Sequence, residues 1–352
     1  MPRLAMLATL IAATAAAQQP PASGPRRSEP QLVTALAAHL DTLAAAGRFS
    51  GVVVLAKGDT RVFERAVGFS DREAGARNAL DTRFNLGSIN KAFTAIAIRQ
   101  LANAGKLALT DTLIQHLPDY PNRDVAERVT IAQLLEHKSG IGGNIFAAPA
   151  GGSRGDLRRT ADFLALFARE PLQFEPGTRQ QYSNAGYVVL GAVIERRSGM
   201  SYYDYVRTNV FEPAGMTSSG SYTRDSLPPN TAIGYTRGGP GAEAQGPVRR
   251  NTETLPGRGS SAGGGYSTAE DLLRFARAVR EGRIAWGPPG GMGIAGGAPG
   301  INAILETGIA GYDLVVLANL DPPAAEAVGR QVRQWLGVAD DEGGPRIIRR
   351  RP

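Results

Sequence analysis

The sequence predicts an α+β fold, mixed α/β. An antiparallel sheet is built from both termini and flanked by helices, with a mostly helical segment inserted between its halves. Three observations carry this. Continuous apolar runs of strand type lie near the two ends, GVVVLA at 51–56 and LVVLAN at 314–319. Helical spacing dominates the region between them. Each end also carries an amphipathic helical stretch, Gln31 to Gly47 and Pro322 to Leu336. Strands from both termini with helices between imply one sheet, and the active site is expected at the seam of the two parts.

Taken in order, residues 18–30 (QQPPASGPRRSEP) form a Pro-rich linker. Leu32, Leu36, Leu40 and Leu43 then recur on one helical face. Two strands, 51–56 and 61–67, follow around the turn Lys57-Gly58-Asp59. From Asn90 to Gly105 the chain is apolar nearly all round, as expected of a helix sunk in a core. Thr130 caps the helix TIAQLLE, and Asp162–Arg169 and Ala185–Arg197 are further helices. Ser267-Thr268-Ala269-Glu270 is a capping box opening DLLRFARAVREG. Gly/Pro-dense stretches 147–156, 237–246 and 286–300 read as loops. Strands Asn302–Glu306 and Tyr312–Asn319 precede the closing helix. The division expected is an α/β part over about 31–88 and 226–337, and a helical part over about 89–225.

The chain has 352 residues and no cysteine, which removes disulfides, thiol catalysis and Cys-based zinc sites. Arg3, an apolar run from Leu4 to Ala13 and Ala15-Ala16-Ala17 read as a signal peptide over 1–17. A periplasmic or secreted protein is expected, with no membrane anchor after cleavage. The formal charge is +7, but Arg3 and the four arginines of the tail GGPRIIRRRP supply five of it. The near-neutral body argues against nucleic acid as a partner. The basic tail, 341–352, reads as a solvated end. No cofactor is expected. No His-x-x-x-His pair or carboxylate cluster suggests a metal.

The chemistry-bearing stretch is Ser88-Ile89-Asn90-Lys91. A serine hydroxyl needs an adjacent base to act as a nucleophile. Residues three apart share a helix face, so Lys91 can reach the Ser88 oxygen. The chain holds 4 lysines against 35 arginines. Arginine cannot shed its proton, whereas a buried lysine can. Composition alone gives roughly 0.2 chance Ser-x-x-Lys matches for 17 serines and 4 lysines in 352 residues. Context adds weight: Ser88 follows TRFNL and a glycine and opens a buried helix, so its N–H and the helix dipole face a developing oxyanion. A second candidate, Tyr182-Ser183-Asn184, follows a Pro-Gly turn just before a helix. A phenol serves as base where an ammonium favours its anion. Asn184 can orient substrate or bond Lys91; a turn packed on the core is the competing reading.

Four segments, TRFNLGSINKAFTA, VTIAQLLEHKSGI, FEPGTRQQYSNAGYVVLGAVIE and GGGYSTAEDLLRFA, resemble the serine β-lactamase and penicillin-recognising hydrolase family, on its class C and DD-peptidase side. The resemblance spans roughly residues 30 to 337 in the family's order. It implies the β-lactamase/transpeptidase fold, with Ser88 as acylated nucleophile, Lys91 as its base partner and Tyr182 as second base. Asn184 would contact the substrate amide. The family's Lys-Thr-Gly or His-x-Gly strand corresponds to Ile294-Ala295-Gly296-Gly297, so Ile294 replaces the cationic or imidazole side chain. Gly297 N–H can still complete an oxyanion hole, with Gly296 beside it. A missing charge-assisted contact to a substrate carboxylate is worth about 1.5–3 kcal/mol. The stretch Gly282–Gly291 is also short for the family.

Two motifs are decoys. Gly259-Ser260-Ser261-Ala262-Gly263 matches the Gly-x-Ser-x-Gly elbow, but it follows no strand, and His39, His116 and His137 all precede it. Gly291-Met292-Gly293-Ile294-Ala295-Gly296 matches a dinucleotide fingerprint, but it follows prolines and opens no helix. His137 belongs to a segment that is a structural loop in the family. The expectation is an exported serine hydrolase acting on an ester, amide, β-lactam or peptidoglycan-derived small molecule through a Ser88 acyl-enzyme. The alternative is a catalytically weak relative that binds peptidoglycan fragments or a partner.

Overall fold

A five-stranded antiparallel sheet forms the backbone of the α/β part. The computed structural model describes residues 26–238, 246–286 and 291–338. The expected signal segment 1–17, most of the linker, the middle of the 237–246 loop, four residues of the 286–300 stretch and the basic tail lie outside them. The strands are β1 (Gly51–Lys57), β2 (Thr60–Val67), β3 (Gly293–Ala298), β4 (Ile301–Ile309) and β5 (Tyr312–Ala318), in the spatial order β2-β1-β5-β4-β3. Strands from the N-terminal end therefore pair with those from the C-terminal end. Gly51 lies opposite Ala318 and Val54 opposite Val315.

Both faces of this sheet are covered, which is why its strands read as unbroken apolar runs and not as alternating ones. Val53, Leu55, Leu314 and Val316 point into one core, beneath α1 (Glu29–Ala45) and α5 (Ala324–Trp335). Val52, Val54, Val315 and Leu317 point into the other, against the helical region. The four leucines expected on one helical face, Leu32, Leu36, Leu40 and Leu43, are all buried.

The helical region is organised on α2 (Asn90–Asn103) and α3 (Asn184–Ser198). Phe93, fully buried on α2, meets Phe211 and Phe275 edge-on at 5.0 and 5.2 Å. Thr268 caps α4 (Ala269–Arg280) by accepting from Asp271 N–H at 3.2 Å. The helix expected at Asp162–Arg169 is shorter and starts earlier, at Thr160–Leu164. Asp162 accepts from the N–H groups of Arg158 and Arg159, which fixes the start two residues upstream.

The larger correction concerns residues 286–300. Its Gly/Pro composition reads as a loop, whereas the family resemblance puts a strand at Ile294–Gly297; Gly293–Ala298 is the edge strand β3, paired with β4 from Gly293 opposite Glu306 to Ala298 opposite Ile301. Pro299-Gly300 turns the chain, with Gly300 at φ +69°. The small residues are here because of close packing. A Cβ on Gly296 would sit 2.7 Å from Ser88 N and closer still to the Leu86 carbonyl. β3 thus lies backbone to backbone against the turn that carries Ser88.

Candidate active site

Ser88 occupies a tight helical turn, Gly87–Ile89, that runs directly into α2. Gly87 stands at φ +51°, and a Cβ there would press on Gly297 N at 3.0 Å. The turn therefore works only with glycine, and it leaves Ser88 half-buried at the seam of sheet and helices. Lys91, three residues on, points the same way and is 8% exposed.

The structure brings together the four residues singled out on the helical side. Ser88 Oγ lies 2.6 Å from the Tyr182 hydroxyl and 3.2 Å from Lys91 Nζ. Lys91 donates to Asn184 Oδ1 at 2.7 Å and to the Ala262 carbonyl. Its Nζ stands 4.7 Å from the centre of the Tyr182 ring and 5.5 Å from that of Tyr187. Burial disfavours the charged form and pushes the Lys91 amine well below its ordinary range. Tyr182 is presented where the Pro176-Gly177 turn meets α3, whose N-cap is Ser183 accepting from Gly186 N–H at 2.9 Å.

On the sheet side, Ile294, Gly296 and Gly297 lie on β3, the outermost strand. Ile294 is partly buried against the helical-side core, so this wall is apolar. Gly296 is buried and Gly297 exposed. Asn302, fully buried on β4, donates to the Gly296 carbonyl at 3.2 Å. It also accepts from Ala325 N–H at 2.6 Å at the start of α5. The backbone of β3 is thereby tied to a helix end.

Sequence reasoning missed two parts of this site. One is the Ala262 carbonyl, the third polar neighbour of Lys91, which lies in the segment dismissed as an elbow. Ser260 and Ser261 there are buried, and Ser261 Oγ donates to the Tyr187 carbonyl at 2.8 Å. A backbone acceptor leaves no mark on residue type. The other is His137, buried and stacked on Tyr182 at 4.8 Å and on Tyr187 at 4.9 Å. Burial, and Lys91 nearby, push its imidazole down to about 3. The dinucleotide-like Gly291–Gly296 stretch runs into β3 and opens no helix. Among the described residues, no group of three or more His, Asp or Glu side chains could hold a metal ion.

An antiparallel sheet closed by both termini, a Ser-x-x-Lys pair at the head of a buried helix and a tyrosine hydroxyl across from it are together the arrangement of a β-lactamase-type protein. The chain belongs to the β-lactamase family, whose pattern matches residues 36–316. It is 31% identical over 237 residues to the putative penicillin-binding protein PbpX of Bacillus subtilis (strain 168), covering 67% of this chain and 56% of that protein. It is 34% identical over 260 residues to esterase EstB of Burkholderia gladioli, covering 65% of each. The chain thus spans less than two thirds of the length of these curated relatives. Among solved structures, a penicillin-binding protein from Bacillus halodurans superposes with a TM-score of 0.72 at 32% identity, over 84% of this chain and 98% of that one.

Proposed function

We propose that this chain is an exported serine hydrolase that cleaves small, uncharged esters, and related acyl compounds, through an acyl-enzyme on Ser88. The observation that carries the reading is the placement of Ser88 Oγ within hydrogen-bond reach of both Tyr182 and Lys91. As an ammonium, Lys91 would donate to all its polar neighbours. As the free amine that burial favours, it keeps two N–H bonds for Asn184 and Ala262 and turns its lone pair to the Ser88 hydroxyl.

The Ser88 proton passes to the Lys91–Tyr182 pair as Oγ forms a bond to the substrate carbonyl carbon. The N–H groups of Ser88 and Gly297 receive the oxyanion. The bond to the leaving alkoxide breaks, and the same pair returns the proton to it. Water then attacks the acyl carbon, giving up a proton by the same route, and releases the acid and Ser88. Asn184, bonded to Lys91, stands beside the acyl group.

Ile294 supports the preference for uncharged substrates. A carboxylate would meet an apolar wall there and lack a contact worth about 1.5–3 kcal/mol, or roughly tenfold to a hundredfold in binding. The similarity to an esterase at 34% identity agrees. Export rests on the Arg3 to Ala17 segment. The test is a comparison of kcat/KM on p-nitrophenyl butyrate and on a cephalosporin. The ester is expected to be turned over at least tenfold faster; a faster cephalosporin would sink the specificity argument.

A further inference from the structure

His137 takes no part in the proton transfers above, yet it grips the segment that carries Tyr182 at three points. Its carbonyl accepts from Gln181 N–H at 2.8 Å. Its Nδ1 accepts from Ser183 N–H at 3.0 Å. Its ring lies nearly parallel to the Tyr182 ring, at 27° and 4.8 Å. Its second ring contact is Tyr187, at 29° and 4.9 Å. Tyr187 is itself anchored, donating its hydroxyl to the Leu135 carbonyl at 3.1 Å. Burial raises the Tyr187 phenol, which keeps it protonated in that bond.

The backbone of His137 is in the left-handed region, φ +57°, an uncommon conformation for a non-glycine residue. That conformation turns carbonyl and ring toward the same tripeptide, Gln181 to Ser183. We propose that His137 is the positioning residue for Tyr182: its ring, stacked on Tyr182 and on the anchored Tyr187, holds the phenol against the Ser88 hydroxyl. The inference rests on the Ser88–Lys91–Tyr182 reading. Histidine suits the place because it combines a flat ring with an acceptor, and phenylalanine has only the first. It also stays uncharged because it is buried, with Lys91 from α2 facing it. The other facing titratable groups are the phenols of Tyr182 and Tyr187. Its chain neighbours Glu136 and Lys138 pair with each other at 2.8 Å.

Two variants separate ring from acceptor. His137→Asn keeps an acceptor near the Nδ1 position and tolerates the left-handed backbone, but removes the ring. His137→Phe keeps the ring and loses the acceptor. A misplaced catalytic group costs up to about 10²-fold. Ester turnover at pH 7.5 is expected to fall at least tenfold in His137→Asn, with KM within about twofold and a melting temperature near that of the wild type. His137→Phe is expected to lose about threefold in kcat and more in melting temperature. The acid limb of the kcat/KM pH profile should move in His137→Asn, because the Tyr182–Lys91 spacing relaxes, and a purely structural role would leave it in place. An asparagine variant as fast as the phenylalanine one, or faster, overturns the proposal. So does an unmoved acid limb. If the asparagine variant does not fold, a tenfold or greater loss in His137→Phe overturns it and a smaller loss supports it. Ser88→Ala, run alongside, reports on the underlying reading: wild-type turnover by that variant would remove the nucleophile itself, whatever His137 does.

Discussion

Lys91 is the residue on which the chemistry turns. Its amine is buried, is pushed well below its ordinary range by lost solvation, and sits between three oxygens. Lys91→Arg puts a fixed positive charge in its place and removes the acceptor lone pair, since a guanidinium stays protonated at any working pH. Ester kcat is therefore expected to fall by about 10²–10⁴-fold. In the wild type, activity should rise with pH through the lowered amine pKa; Lys91→Arg should lose that rise, and steady-state rates across pH 5–10 check both. Ser88 and Lys91 were legible in the sequence from residue type and spacing, and Tyr182 and Asn184 from the resemblance to the family. The Ala262 carbonyl and the His137 stack were not: one is a backbone atom, and the other is defined by ring contacts between residues 45 and more positions apart.

At the level of elements, the site depends on the backbone contact between β3 and the Ser88 turn. Glycine there was read as loop composition, whereas it is what lets two backbones approach. The error has a physical origin: the same residue type serves a flexible loop and a crowded contact, and only the partner backbone distinguishes them. Gly296→Ala places a methyl group against Leu86 and Ser88. Overpacking of this kind costs about 1–3 kcal/mol. Displacing the Gly297 N–H is expected to lower kcat by about a hundredfold, the cost of losing one oxyanion donor. Gly297→Ala keeps its own N–H and directs its Cβ toward the tip of Pro322 at 2.9 Å, away from the Ser88 turn, so a smaller loss is expected there. Equal losses in both variants would show that the contact with the turn is not what matters. The five long strands, by contrast, were visible at their cores except for β3, because burial on both faces leaves an unbroken apolar run.

Across the whole molecule, the three histidines set a common pH response. Burial lowers the imidazole of His39 and of His116, and lowers that of His137 to about 3. Above the unfolded value near 6.5, folded and unfolded chains are both neutral at these positions, and nothing is lost. As pH falls below it, the unfolded chain takes up protons that the fold refuses, so stability declines toward pH 3. For His137 alone the gap between about 6.5 and about 3 corresponds to roughly 5 kcal/mol at its limit. Thermal melting between pH 7 and pH 4 is expected to show a drop of several degrees, made shallower by His137→Asn. Parallel curves for the two proteins would contradict it. The architecture itself was legible from the ends of the chain, whose two apolar runs pair as Gly51 with Ala318. Covalent labelling of Ser88 is the most direct test of the proposed chemistry. Purified protein treated with a fluorophosphonate and analysed by intact-mass and peptide mass spectrometry should carry a single adduct on Ser88, formed far more slowly in Lys91→Arg. No adduct on Ser88, or one on Ser260 or Ser261, would contradict it.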